Sequence, residues 1–322
     1  MPLAVEPIEG YALKTRKPSN SKRKNAFNKV GIVGCGILGQ EITRMVSAHG
    51  IDVVFVEVSE EKIQQSIREI SRDLDRMIEK WGMTDGEKRA ILSRISGTTD
   101  YKDLHGAEIV IESVKSRTRE SSVDLRKRIF REIERHISDK AIIATNSTTL
   151  VITELSSELD HPERCVSLHF LSPADQSQVV EIARGLHTSD ETYDNACRFS
   201  MLFGKQVVQV IESPGVISTR LIAPLINEAC EILMEGVGAL EDIDTTMRLG
   251  FGFPLGPFEL ADKIGLDMIV RWLDNMYKEF GDLKYKASPL LKKKVRANHL
   301  GKETSIGFYK YDEEGRKIIN SK

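Results

Sequence analysis

Apolar residues come first in short unbroken runs and later at helical spacing, and this change of period divides the chain. Runs ending at Val33, at Val53–Val56, at Ile109–Ile111 and at Ala141–Ala144 read as strands buried on both faces. Between them, Ile42, Met45 and Val46 recur at a period near 3.6. So do Ile63, Ile67, Ile70, Leu74, Met77, Ile78 and Trp81 in a helix starting near Ser59, and Leu125, Ile129, Phe130 and Ile133 in one ending near His136. Strands alternating with helices predict an α/β fold, a doubly wound Rossmann-type parallel sheet. Cys165–Phe170, Val179–Ile182 and Gln206–Val210 read as three further strands. After Ser213-Pro214-Gly215 the pattern turns helical and stays so to about Asn298, with Leu221, Leu225, Ala229 and Leu233 lining one face of a helix. The expected organisation is a sheet domain over 29–213 and an all-helical C-terminal domain over 214–322. Residues 1–28 have no apolar period. There Lys14, Arg16, Lys17, Lys22, Arg23 and Lys24 are interleaved with Pro18, Ser19, Asn20 and Ser21, which predicts a mobile basic tail. Glu6, Glu9 and the prolines argue against a targeting helix.

Composition narrows the function classes. The 322 residues leave room for two cores, and 40% apolar with 29% charged residues is ordinary for a soluble globular chain. A net charge of −2 gives no general attraction to nucleic acid or to an anionic membrane, so neither is expected as a partner. No apolar run approaches the roughly 20 residues that span a bilayer. Cys35, Cys165, Cys197 and Cys230 have no metal-type spacing and read as buried reduced thiols of a cytoplasmic protein, with no metal expected.

The densest chemical signal is Gly34-Cys-Gly36-Ile37-Leu38-Gly39, set between the first strand and the first helix and followed by Glu57 at the end of the second strand. Gly34 permits a tight turn, Gly36 lets backbone approach a pyrophosphate, and Gly39 allows close helix–strand packing. Ile37 and Leu38 open the helix, whose N–H groups and positive dipole end suit an anion. Glu57 can accept from a ribose 2′-hydroxyl and would repel a 2′-phosphate, and no arginine follows it closely, so NAD is the expected cofactor. Glu112 and Asn146 fall at other strand ends, where such sheets bind ligands. His169 closes a strand and Glu181 lies twelve positions on. A histidine backed by a carboxylate suits removal of an alcohol proton, and a structural histidine is the competing reading. Asn146, Ser147, Thr148 and Thr149 could orient a ligand or simply cap the next helix.

Taken together, the ordered blocks resemble the 3-hydroxyacyl-CoA dehydrogenase family over roughly residues 29 to 311. They are the glycine loop, Ile111-Glu112, Asn146–Thr149, His169-Phe-Leu-Ser-Pro173, Val180-Glu-Ile182, Asn227-Glu-Ala229, Glu241-Asp-Ile-Asp244 and Leu249–Pro257. Glu259–Asp262, Gly265-Leu-Asp267, Gly301-Lys302 and Gly307–Tyr311 complete the series. The resemblance implies His169 as general base with Glu181 as its orienting partner, and Thr148 where the family has a serine bonding the reacting oxygen. It also implies Lys80 near a coenzyme A contact, and a homodimer acting on a short-chain 3-hydroxyacyl-CoA in fatty-acid β-oxidation chemistry. Besides Thr148, the chain departs from the family pattern at three places. Thr219 replaces an asparagine before Arg220, Ser172 an asparagine beside the substrate, and Ser116 a glutamate near the nicotinamide ribose, with an apparent insertion across 117–123. Losing one positioned hydrogen bond in a dry site costs on the order of 10²–10³ in rate. These departures leave two alternatives open: a dehydrogenase of a free hydroxy acid, like the gulonate dehydrogenase branch, or an NAD-binding protein with weakened catalysis.

Overall fold

The computed structural model describes residues 27–318 except 81 and 116–118, and not the side chains of 119–121. The tail up to residue 26, Trp81 and Ser116 therefore lie outside the described residues. The predicted tail ends earlier than expected. Phe27 is buried with its ring edge-on to Phe199, and Asn28 donates to the Glu108 carboxylate.

The chain opens with β1 (Lys29–Val33), α1 (Ile37–Ala48), β2 (Asp52–Val56), α2 (Glu60–Glu79), α3 (Asp85–Leu92) and β3 (Ile95–Thr98). There follow β4 (Ile109–Glu112), α4 (Arg119–His136), β5 (Ile142–Thr145), α5 (Ile152–Ser156), β6 (Cys165–Phe170), β7 (Val179–Arg184), α6 (Asp190–Leu202) and β8 (Gln206–Ile211). Among the described residues these strands form one sheet in the order β3-β2-β1-β4-β5-β6-β7-β8. Strand order reverses at β1, which pairs with both β2 and β4, so a crevice opens beyond their carboxyl ends.

Alternate strand residues feed opposite layers, which is why the runs look uniformly apolar. Ile109 and Ile111 join Ile42, Ile63 and Phe199 on one face, while Val110 joins Phe130, Ile133 and Leu155 on the other. The sheet is not parallel throughout. β7 runs antiparallel to β6 and parallel to β8. Only the short segment 171–178 joins β6 to β7, too short for the helical crossover that a parallel pair needs.

Beyond β8 the regular elements are helical: α7 (Ser218–Met234), α8 (Leu240–Thr245), α9 (Pro257–Ile264), α10 (Leu266–Phe280) and α11 (Pro289–Arg296). They pack around Ile226, Phe258, Leu273 and Leu291. Of the apolar face read on α7, Ala229 is buried and Leu233 packs against the core, whereas Leu221 is 67% exposed; Ala223, Ile226, Asn227 and Cys230 are buried as well. Two buried aspartates fasten the C-terminal segment. Asp262 accepts from the Phe308 and Tyr309 amides and the Tyr311 hydroxyl, and Asp244 accepts from the Tyr309 hydroxyl. Among the described residues no helix is long and apolar enough to cross a membrane.

Candidate active site

The glycine loop leaves β1 through Gly34, whose φ of +89° lies in the left-handed region. A Cβ on Gly39 would sit 2.2 Å from the Gly34 carbonyl oxygen, so only glycine lets α1 approach its own strand this closely. Gly36 is different: a Cβ there would meet nothing of the chain within 4 Å. The N-terminus of α1, capped by Gly36, has no side-chain cap, and Ile37 beside it is 66% exposed. Open space at Gly36, uncapped helix amides and a nearby carboxylate fit a dinucleotide. Leu38 is half-buried against the core. The Glu57 carboxylate stands at the end of β2 and accepts from the Cys35 amide at 2.6 Å. Gln40 and Ser66 both donate to the Cys35 carbonyl, so two helices hold the loop. The Cys35 thiol itself is buried, and burial pushes it up to about 12, which keeps it protonated and inert.

Glu112 ends β4 with no exposed surface. Its carboxylate accepts from the Val114 amide at 2.7 Å, the Thr145 hydroxyl at 2.7 Å and Arg126 Nε at 3.0 Å. The side chain therefore shapes the β4 and β5 ends from within. Asn146 is also buried, and its side-chain oxygen accepts from the Phe170 amide at 2.8 Å, tying the end of β5 to β6.

His169 and Glu181 meet. They are direct cross-strand partners on β6 and β7, both are buried, and His169 Nδ1 lies 2.7 Å from Glu181 Oε2. Oε2 also accepts from the Ser218 hydroxyl at 2.6 Å, and Oε1 from the amides of Ile217 at 3.1 Å and Ser218 at 2.9 Å. Burial raises the Glu181 carboxyl, but the bonds from His169 and Ser218 outweigh it and hold the group below its ordinary value. An ionised carboxylate can only accept, so Nδ1 carries the proton and Nε2 is left as the basic nitrogen. β6 runs parallel to β5, β4 and β1, which puts His169 at the same edge of the sheet as the glycine loop.

The segment after β6 is fixed from the cofactor side. Glu41 of α1 accepts from the Ser172 hydroxyl at 3.0 Å and the Ala174 amide at 2.9 Å, and Arg44 bridges Asp73 and Asp175. The Ser172 hydroxyl is thus engaged with Glu41. Thr148 and Thr219 are both buried. The Thr148 carbonyl accepts from the Gly215 amide at 2.6 Å, and Thr219 follows Ser218 in the first turn of α7. Asn275 of α10 donates to the Thr149 hydroxyl at 2.8 Å, joining the helical half to the β5 loop. Lys80 is an exposed residue at the C-terminal end of α2. Sequence reasoning overlooked Ser218, Glu41 and Arg126. Only Ser218 carried a usable hint, a hydroxyl at a helix start just after a Pro-Gly turn.

Comparison with known proteins shows the family. Residues 29–213 match the family model for the NAD binding domain of 3-hydroxyacyl-CoA dehydrogenase, and residues 215–311 match the model for its C-terminal domain. The 3-hydroxybutyryl-CoA dehydrogenase of Clostridioides difficile is 35% identical over 285 residues, covering 88% of this chain and 100% of the relative. Among solved structures, (S)-3-hydroxybutyryl-CoA dehydrogenase PaaH1 from Ralstonia eutropha gives a TM-score of 0.80 at 36% identity, covering 89% of this chain and 100% of the other. FadB2 of Mycobacterium tuberculosis gives a TM-score of 0.85 at 30% identity, with 89% and 100% covered.

Proposed function

The chain belongs to the 3-hydroxyacyl-CoA dehydrogenase family and is an NAD-dependent dehydrogenase, and on that premise we propose that it reversibly oxidises a short-chain 3-hydroxyacyl-CoA to the 3-oxoacyl-CoA. The observation that carries this reading is the buried His169–Glu181 pair, with Nδ1 engaged and Nε2 left basic, at the sheet edge that bears the glycine loop. His169 Nε2 takes the proton of the C3 hydroxyl as the carbonyl forms, and Glu181 stabilises the imidazolium that results. Bound NAD supplies the acceptor for the C3 hydride. Thr219 follows Ser218, whose hydroxyl donates to Glu181, and the Thr148 carbonyl accepts from Gly215 just before α7; on that support we assign the two threonine hydroxyls the hydrogen bonds to the reacting oxygen. Gly36, the α1 amides and Glu57 hold the pyrophosphate and the adenosine ribose.

The short-chain assignment is supported by the 3-hydroxybutyryl-CoA dehydrogenases that the chain resembles. The same reading gives a homodimer, which would cover the exposed apolar residues Leu221, Val237, Leu249 and Phe251 of the helical half. The test is NADH formation from 3-hydroxybutyryl-CoA across a series of acyl lengths and matching free hydroxy acids. Steady turnover of the short thioester is expected, and His169→Ala should lower kcat by about 10²–10⁴ while NADH binding stays intact. Turnover of free acids alone, or of nothing in the series, would overturn the assignment.

A further inference from the structure

Resting on His169 as the base, we propose that Ser218 is a positioning residue of this site, whose hydroxyl fixes the Glu181 carboxylate and thereby sets the basicity of His169. Three of the four donors to Glu181 come from the start of α7, in the helical half of the molecule. They are the Ser218 hydroxyl at 2.6 Å from Oε2, and the Ile217 and Ser218 amides at 3.1 Å and 2.9 Å from Oε1. The fourth is His169 Nδ1, 2.7 Å from Oε2. Ser218 and His169 therefore compete for the charge of one oxygen.

The turn before α7 is built to aim these groups. Gly215 has φ +91° and Val216 φ +44°, both in the left-handed region. A β-branched residue there is strained, and it persists only where its surroundings over-determine it. Here the Gly215 amide donates to the Thr148 carbonyl at 2.6 Å and the Val216 amide to the Ser213 carbonyl at 3.0 Å. The result is two consecutive amides and a hydroxyl directed at one buried carboxylate. Among the described residues the titratable group bonded to Glu181 is His169 itself. The β8 residue in register with Glu181 is Val208, and the α7 donors are uncharged.

A carboxylate that shares its charge with Ser218 attracts a proton onto His169 less strongly. Removing the hydroxyl concentrates charge on Oε2, stabilises the imidazolium and raises the pH at which His169 becomes a base. In Ser218→Ala the rise of kcat/KM with pH should shift upward by about one pH unit, so kcat/KM falls about tenfold on the acid side of that rise and is unchanged on its alkaline plateau. KM for NAD should be unchanged, and Ser218→Thr, which keeps the hydroxyl, should restore the wild-type profile. The NMR titration of the His169 ring, assigned by its loss in His169→Gln, should move upward by the same amount. That titration needs no turnover. A shifted ring in a protein that oxidises no substrate would sink the dehydrogenase reading and leave the coupling standing. An unmoved ring in a folded Ser218→Ala protein overturns the proposal, whatever the activity. If Ser218→Ala does not fold, Ser218→Cys, which keeps the shape and weakens the bond, takes its place under the same criterion.

Discussion

The three glycines of the loop are alike in sequence and unlike in what surrounds them. Gly39 has a backbone oxygen where its Cβ would go, whereas Gly36 has open space. Gly39→Ala should therefore lower unfolding free energy by about 1–3 kcal/mol, the ordinary cost of forced overpacking, as read by urea denaturation. Gly36→Ala should leave the urea midpoint unchanged and still weaken NADH binding, measured by fluorescence titration. Equal effects on both measurements in both variants would remove the case for a ligand at Gly36. At this scale the sequence was informative wherever spacing encodes chemistry, as for the glycines, Glu57 and the His169–Glu181 pair. It was uninformative where a contact joins distant segments. Nothing in the strand ending at Glu112 announces that Arg126, Thr145 and the Val114 amide will consume its carboxylate. Nothing near Ser172 points to Glu41, 131 residues away.

Elements were legible to the extent that their burial was two-sided and their apolar runs long. The central strands met that condition. β3, an Ile-Ser-Gly-Thr edge strand that is mostly half-exposed, has too little apolar surface to be read as a strand. α7 shows the opposite difficulty, an excess of apolar residues. Its inner face is made of Ala223, Ile226 and Cys230, and a second apolar set, including Leu221 and Met234, faces outward. Periodicity detects both sets and cannot say which one meets the core. The start of α7 depends on Gly215. Besides its φ of +91°, a Cβ there would lie 2.6 Å from Met276 Sδ and 2.7 Å from Arg220 Cγ. Gly215→Ala is expected to cost about 2 kcal/mol or more in stability and to reduce kcat in the fraction that folds, because the displaced helix start no longer reaches Glu181. Wild-type kcat in a destabilised Gly215→Ala protein would show that the aim of α7 does not matter to turnover.

For the molecule as a whole, polar contacts join the two halves, two of them at the β5 loop. Thr149 meets Asn275, Thr148 meets Gly215, and Lys115 pairs with Asp267 at 3.5 Å and Glu303 at 3.2 Å. Exposed apolar surface is concentrated instead on the helical half, at Leu249 (81%) and Phe251 (71%). If a second copy covers that surface, Leu249→Glu with Phe251→Glu should give a monomer in analytical ultracentrifugation, because buried unpaired charges oppose association. A monomeric wild-type chain at the same concentration would refute the homodimer. The residues that grip one another across the sheet edge have a mechanical consequence as well. One rod, α1, begins at the glycine loop and, through Glu41 and Arg44, clamps the strap that follows the histidine strand. On the proposed reading, the seat of the hydride acceptor and the seat of the proton acceptor would share a single chassis, so the distance between the two half-reactions would be set by secondary structure.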